Sequence, residues 1–164
     1  MNRPAYKYHQ FGRTNRYFFF SDGIYGTITK TVMITPIEPD LVNSPHLDLY
    51  NLAFGDVKEE DNSWIFDDSS RSNNGDMPKV MATVVRIAID FMKKNKNAVL
   101  TFSGYIDQKS DTLGRNQRTI LYQRAIESNW VELNTYFQFW GIRDDKQEDY
   151  VPGKLYNKIL VQHR

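Results

Sequence analysis

NNGDMPKVMATVVRIAIDFMKKNKNAVLTFSG, residues 73–104, writes a helix and a strand back to back. Asp76 stands where a helix N-cap belongs, and Pro78 falls in the first turn, where a missing N–H costs nothing. Met77, Val80, Val84, Ala88 and Phe91 then recur at helical spacing. Lys93, Lys94 and Lys96 crowd the C-terminal end and complement the helix dipole. Ile87 and Ile89 widen the apolar arc, so the helix is expected to lie across a sheet. Ala98–Gly104, AVLTFSG, reads as a central strand of that sheet.

Upstream, Arg16–Phe20 is a short aromatic run closed by Ser21-Asp22-Gly23, a turn signal. In the segment Gly26–Ile37, Ile28, Val32 and Ile34 share one parity among threonines, as in a strand with one buried face. Pro36 and Pro39 end it, and Pro39–His46 reads as a loop. Leu49–Val57 is a second strand and Trp64–Phe66 a short third. Downstream, a polar loop over Tyr105–Arg115 precedes a second long helix from Gln117 to Tyr136. Tyr122, Ala125, Ile126, Trp130, Leu133 and Phe137 line one side of it. Phe137–Ile142 and Leu155–Gln162 read as closing strands, joined by the charged stretch Arg143–Gly153.

The expected fold is therefore α+β: a mainly antiparallel sheet with two long helices packed on it. The 164 residues suit one domain over 16–164, with 1–15 as an N-terminal extension. Zero cysteine removes disulfide scaffolds, thiol catalysis and cysteine-held metals. The polar, aromatic start lacks the apolar core of a secretory signal. The longest apolar stretch, Val80–Met92, is interrupted by Thr83, Arg86 and Asp90, so no membrane span is expected. No lipidation motif is seen at either end, and a cytoplasmic location is expected.

The formal charge of +1 argues against a nucleic-acid coat. It is nonetheless a cancellation. Residues 56–76 carry seven acidic and two basic side chains, whereas 86–118 carry seven basic and three acidic. A dipolar molecule suits docking onto a charged protein partner, or self-association through complementary faces, and leaves room for a basic face.

Three motifs in order carry a resemblance: YNLAFGD at Tyr50–Asp56, NNGDMPKVMATV at Asn73–Val84 and RTILYQRAI at Arg118–Ile126. With the ending Tyr136–Arg164, they resemble a family of small uncharacterised proteins of Bacteroidetes-type bacteria, a domain of unknown function. The likeness runs from about Arg16 onward, with a longer polar insertion between Ser103 and Arg118. It implies an origin and a size and carries no activity.

The element order is also distantly similar to the GNAT acetyltransferase superfamily, whose core is an antiparallel sheet, a helix, a strand, a helix and two final strands. That resemblance implies acyl-coenzyme A as cofactor, held at the turn opening the first helix, and Tyr122 of the Leu121–Tyr122 pair as general acid. The superfamily turn has an Arg/Gln followed by two closely spaced glycines. This chain has Asn73-Asn74-Gly75-Asp76-Met77-Pro78, with one glycine, and Pro78 deletes a donor that a phosphate needs.

The chemistry-bearing residues each have a plain alternative. Asn74, Gly75 and Asp76 form a turn and cap, or, with Lys79, contact a small anion or ribose. Arg118 and Tyr122 lie four apart on one helical face, as a surface arginine beside a core tyrosine or as an anion-binding arginine with a tyrosine acid. Asp56 ends a strand as a bulge residue or a general base. His9, His46 and His163 show no metal spacing. Asp56, Asp67, Asp68 and Asp76 are what a magnesium-dependent nuclease would have to gather.

The leading expectation is an accessory protein that acts by binding a protein partner, with a mobile-element or toxin–antitoxin setting as a guess from size. The alternatives are an acyl-CoA-dependent N-acetyltransferase and, more remotely, a metal-dependent nuclease.

Overall fold

Alternation sets one face of the sheet. On the strand Gly26–Pro36 (β3), Val32 and Ile34 are buried, while Met33 between them is half-buried and the threonines of the strand range from buried to exposed. The same two-residue period puts Tyr17 and Phe19 inward from Arg16–Gly23 (β2), and Leu52 and Phe54 inward from Leu49–Glu60 (β4). The antiparallel registers Val32↔Tyr17 and Val32↔Phe54 align these side chains into one apolar carpet.

A computed structural model describes residues 4–37, 48–60, 63–67, 74–102 and 117–164, with only the backbone of 58–60, 63–67 and 117–118. The remaining strands are Tyr8–Gln10 (β1), Ser63–Asp67 (β5), Val99–Phe102 (β6), Phe137–Arg143 (β7), Lys146–Asp149 (β8) and Lys158–His163 (β9). They form one sheet in the order β1-β2-β3-β4-β6-β9-β7-β8, with β5 paired to β4. Every pairing is antiparallel except β4 with β6, which is parallel over residues 49–52 and 99–102. From residue 56 onward the same edge of β4 pairs with β5 instead. β1 adds residues 8–10 to the sheet, out of the stretch that the sequence sets aside as an N-terminal extension.

Helix Met77–Lys94 (α1) crosses the carpet with Val80, Val84, Ile87, Ala88 and Phe91 buried. Six of its residues are β-branched, at roughly 0.5 kcal/mol each in lost helix propensity. Burying each of Val80, Val84, Ile87 and Phe91 contributes about 1.5–3 kcal/mol, so packing decides the conformation. The second long helix expected over 117–136 is two helices, Gln117–Glu127 (α2) and Trp130–Tyr136 (α3). Ser128 Oγ and Asn129 Nδ2 both donate to the Ala125 carbonyl at 3.0 Å, and the Asn129 N–H turns back to Ile126. Those bonds divert a carbonyl that a continuing helix would use.

Two turns differ from their expected places. Ser21-Asp22-Gly23 continues β2, and the chain reverses at Ile24-Tyr25 between the paired Gly23 and Gly26. The charged stretch after β7 holds a hairpin: Asp144 and Asp145 have φ of 51° and 61°, the two positive values of a type I′ turn, and β8 returns along β7. The expected loops over 39–46 and 105–115 lie outside the described residues.

All three helices pack on the face that carries Tyr17, Phe19, Leu52 and Phe54. Among the described residues no helix covers the opposite face, and none is long and apolar enough to cross a membrane.

Candidate functional site

α1 is apolar over a wider arc than its contact with the sheet uses. Met77, Met81 and Val85 turn toward α2, where Leu121 and Ala125 face them across a groove of about 400 Å³. Arg86 of α1 and Arg124 of α2 complete the lining, and among the described residues no carboxylate lines it. Arg124 is exposed and has no ion pair among the described residues. The α2–α3 break brings Ser128 and Asn129 to the rim, so the local chemistry that ends the helix also shapes the groove. Physically this is an apolar trough with one exposed cation, Arg124, on its lining.

The turn before α1 is a structural junction. Asn74 is 2% exposed. Its Oδ1 accepts the Tyr25 N–H at 2.7 Å, and its Nδ2 donates to the Gly26 carbonyl at 2.8 Å and to Ser21 Oγ at 3.1 Å. The Asn74 carbonyl accepts the Ile24 N–H at 3.0 Å. One side chain thus ties the β2–β3 hairpin to the start of α1. The approach is close: a Cβ on Gly23 would stand 1.9 Å from the Asn74 carbonyl oxygen. Gly75 follows at φ +80°, the left-handed backbone expected of it.

Asp76 sits at the N-cap position without a side-chain cap bond. Its carboxylate instead accepts Ser21 Oγ at 2.6 Å and the Tyr6 hydroxyl. The Tyr6 hydroxyl also accepts the Asp22 N–H at 3.0 Å, and its ring lies 4.3 Å under Lys79 Nζ and stacks on Phe19. Burial, reinforced by the hydrogen bond to Asp76, raises the Tyr6 pKa above the ordinary tyrosine value. The four residues Asn74, Gly75, Asp76 and Lys79 are thus brought together, around Tyr6 and the hairpin.

Asp56 is inside β4 and 3% exposed, and it forms an ion pair with the equally buried Lys30 across the β3–β4 register. Its neighbour two positions back, Phe54, meets the Tyr122 ring edge-on at 5.8 Å, and Phe102 of β6 stacks on the other side at 5.3 Å. Tyr122 is 4% exposed and packs on one side chain from each of β4 and β6. Arg118 is the second residue of α2, and its side chain lies outside the described residues, as does that of Asp67 in β5. Asp68 lies outside them altogether. Among the described residues no three His, Asp or Glu side chains form a group able to hold a metal ion.

A second polar network holds the C-terminal part. Gln123 Nε2 donates to the Lys154 carbonyl at 2.8 Å and to the Tyr150 hydroxyl at 3.1 Å, and Tyr150 donates to Glu127 at 2.8 Å. Burial, with the Glu127 carboxylate adding to it, pushes the Tyr150 pKa well above the ordinary tyrosine value.

The chain matches the model of DUF6934, a family of unknown function, over residues 2–164. It belongs to that family. No curated protein and no solved structure matches this DUF6934 chain.

Sequence reasoning missed Lys30 and the α1–α2 groove. Lys30 was legible in principle, because it has the buried parity of Ile28, Val32 and Ile34. The α1–α2 groove had a weaker signal in Met81, Ala82 and Val85, apolar residues offset from the stripe Val80, Val84, Ala88.

Proposed function

We propose that this DUF6934 chain is a non-catalytic accessory protein that binds a protein partner, and that the α1–α2 groove takes an amphipathic helix of that partner flanked by carboxylates. The observation that carries the reading is the groove itself: an apolar trough of about 400 Å³ with the exposed Arg124 on its lining and no described acidic residue. Helix-in-groove recognition uses apolar anchors on one helical face, and methionines such as Met77 and Met81 adapt to them. Arg124 selects partner charge and speeds encounter. A non-catalytic role is supported by the partners of Asn74, Asp76 and Asp56, which bind the chain to itself.

A bacterial mobile-element or toxin–antitoxin setting is the context we attach to this reading. On fold, we read a GNAT-like core. The order of strands, helix, strand, helix and strands supports it, as does the parallel pairing of β4 with β6.

The test is co-expression with the product of the adjacent gene, read by size-exclusion with light scattering. A one-to-one complex is expected, and Ala82→Arg with Ala125→Arg, which fills the trough with like charge, abolishes it. Arg124→Glu weakens it about tenfold. Failure to form a complex, or a complex indifferent to the double substitution, overturns the proposal. So does a rise in Tm with acetyl-CoA, since a ligand that binds only the folded state stabilises it. That result moves the reading to an acyltransferase.

A further inference from the structure

The sheet face away from the helices carries a different chemistry at its β1–β2 end. Tyr6 and Tyr8 turn to the core, where they meet Phe19 and Tyr17. His9 therefore turns outward, and it is paired in register with Phe18 of β2. Their rings stack at 5.2 Å with an interplanar angle of 29°. Phe20, two residues along β2 on the same face, meets Phe18 at 6.0 Å and is 48% exposed. Phe11, just beyond β1, is 59% exposed. Three exposed cations lie on the same strands and the segments next to them. Arg16 opens β2 on the same face as Phe18 and Phe20, Arg13 lies in the β1–β2 turn, and Lys7 precedes β1. None of the three has an ion pair among the described residues. The nearest carboxylate along β2, Asp22, comes only after Phe20, at the hairpin end.

A protein interface is enriched in aromatic rings and arginine but depleted of lysine, and of charge at its core. This patch is a row of rings edged by exposed lysine and arginine on an open antiparallel sheet. Such a surface fits unpaired bases, which stack on aromatic rings, with the phosphates meeting the cations. A duplex keeps its bases stacked on each other and offers the rings nothing. We infer that the β1–β2 end of the open sheet face binds single-stranded nucleic acid, without base specificity. The near-zero net charge is no obstacle, because the site is local. Three phosphate contacts predict a modest salt dependence, with a slope of log K on log salt of about −2.

The experiment is fluorescence anisotropy of the full chain with labelled single-stranded dodecamers of oligo(U) and oligo(dT) and with a duplex of equal length. Both single strands are expected to bind about tenfold more tightly than the duplex. Tighter oligo(U) would add a contact to the 2′-hydroxyl, and equal binding would place recognition on bases and phosphates alone; either supports the proposal. Phe18→Ala with Phe20→Ala is expected to weaken binding at least about tenfold, and Phe20→Trp to retain it. Arg16→Ala lowers the salt slope by about 0.7. Phe20→Ala alone, at a half-exposed position, keeps the Tm within a few degrees and controls for folding. Absence of binding at low salt overturns the inference, and so does duplex binding of equal strength. Indifference to the Phe18 and Phe20 substitutions also overturns it. Phenylalanine-dependent binding to anionic phosphatidylserine vesicles without oligonucleotide binding overturns it in favour of a membrane surface.

Discussion

Asn74 and Asp56 share a property that the sequence read as a hint of chemistry: each is a polar residue beside a glycine at the edge of an expected element. In the folded chain both are nearly inaccessible, and their hydrogen-bonding capacity is turned inward. An inward-turned amide contributes most through what its loss leaves behind. In Asn74→Ala the Tyr25 N–H and the Gly26 carbonyl lose their partner beneath the hairpin, which costs about 2–3 kcal/mol. Chemical denaturation should show that loss, and Asn74→Asp should not restore it, because a carboxylate cannot donate to Gly26. The turn at Asn74–Gly75 and the helix start after Asp76 were legible because Gly and Asp at a helix start have few conformational roles, although Asp76 makes no capping bond with its side chain. The partners of that turn were not. Tyr6, Ser21 and Tyr25 lie 70, 55 and 49 residues away from theirs, and no local pattern encodes such a distance. The Lys30–Asp56 pair is the same case: each half was visible as a charge on an apolar parity, and only the register joins them.

Among the elements, α1 was legible almost to the residue, since an 18-residue amphipathic run with Pro at the start and lysines at the end repeats its signal many times. The break after Glu127 was not. Apolar spacing continues through it from Ile126 to Leu133, and what ends α2 is competition by two short polar side chains for one carbonyl. The β7–β8 hairpin was hidden for a related reason. Asp144-Asp145 without glycine reads as charge, although aspartate tolerates the left-handed backbone that a type I′ turn requires. These C-terminal elements are joined through Tyr150, which takes Gln123 and Glu127 at its hydroxyl and packs on Trp130 and Tyr156. Its raised pKa has a consequence with a definite sign. The folded chain holds the Tyr150 proton more tightly than the unfolded chain does, so the stabilisation is complete below pH 10 and is lost as the pH climbs above it. Tm measured across the alkaline range should fall above that point. In Tyr150→Phe the fall should be shallower, starting from a lower Tm at neutral pH, where the bonds to Gln123 and Glu127 are already missing. A slope unchanged by the substitution would place the alkaline lability elsewhere.

At the scale of the whole molecule, one layer of helices on one face of a sheet leaves two unlike surfaces, and the sheet–helix core separates them. The groove belongs to α1 and α2, and the aromatic row belongs to β1 and β2 on the side that no described helix covers. The dipole of charge in the sequence, with a net +4 over 86–118, includes Arg86 of the groove but neither Arg124 nor the cations of the aromatic row, and it could not tell which cations share a face. That depends on strand order and on the α1–α2 contact. Arg124 and Arg16 contribute the same charge and serve different surfaces. Substitutions at sites that share no partner add to within about 0.5 kcal/mol. Ala82→Arg with Ala125→Arg should therefore abolish partner binding and leave oligonucleotide affinity within a factor of about two. Phe18→Ala with Phe20→Ala should do the reverse. Measured on the four combinations of these variants, the two affinities should factorise. Loss of both functions in either double variant, with Tm preserved, would mean that the core transmits binding at one face to the other. The single-layer architecture would then be acting as a coupler between the surfaces instead of a spacer.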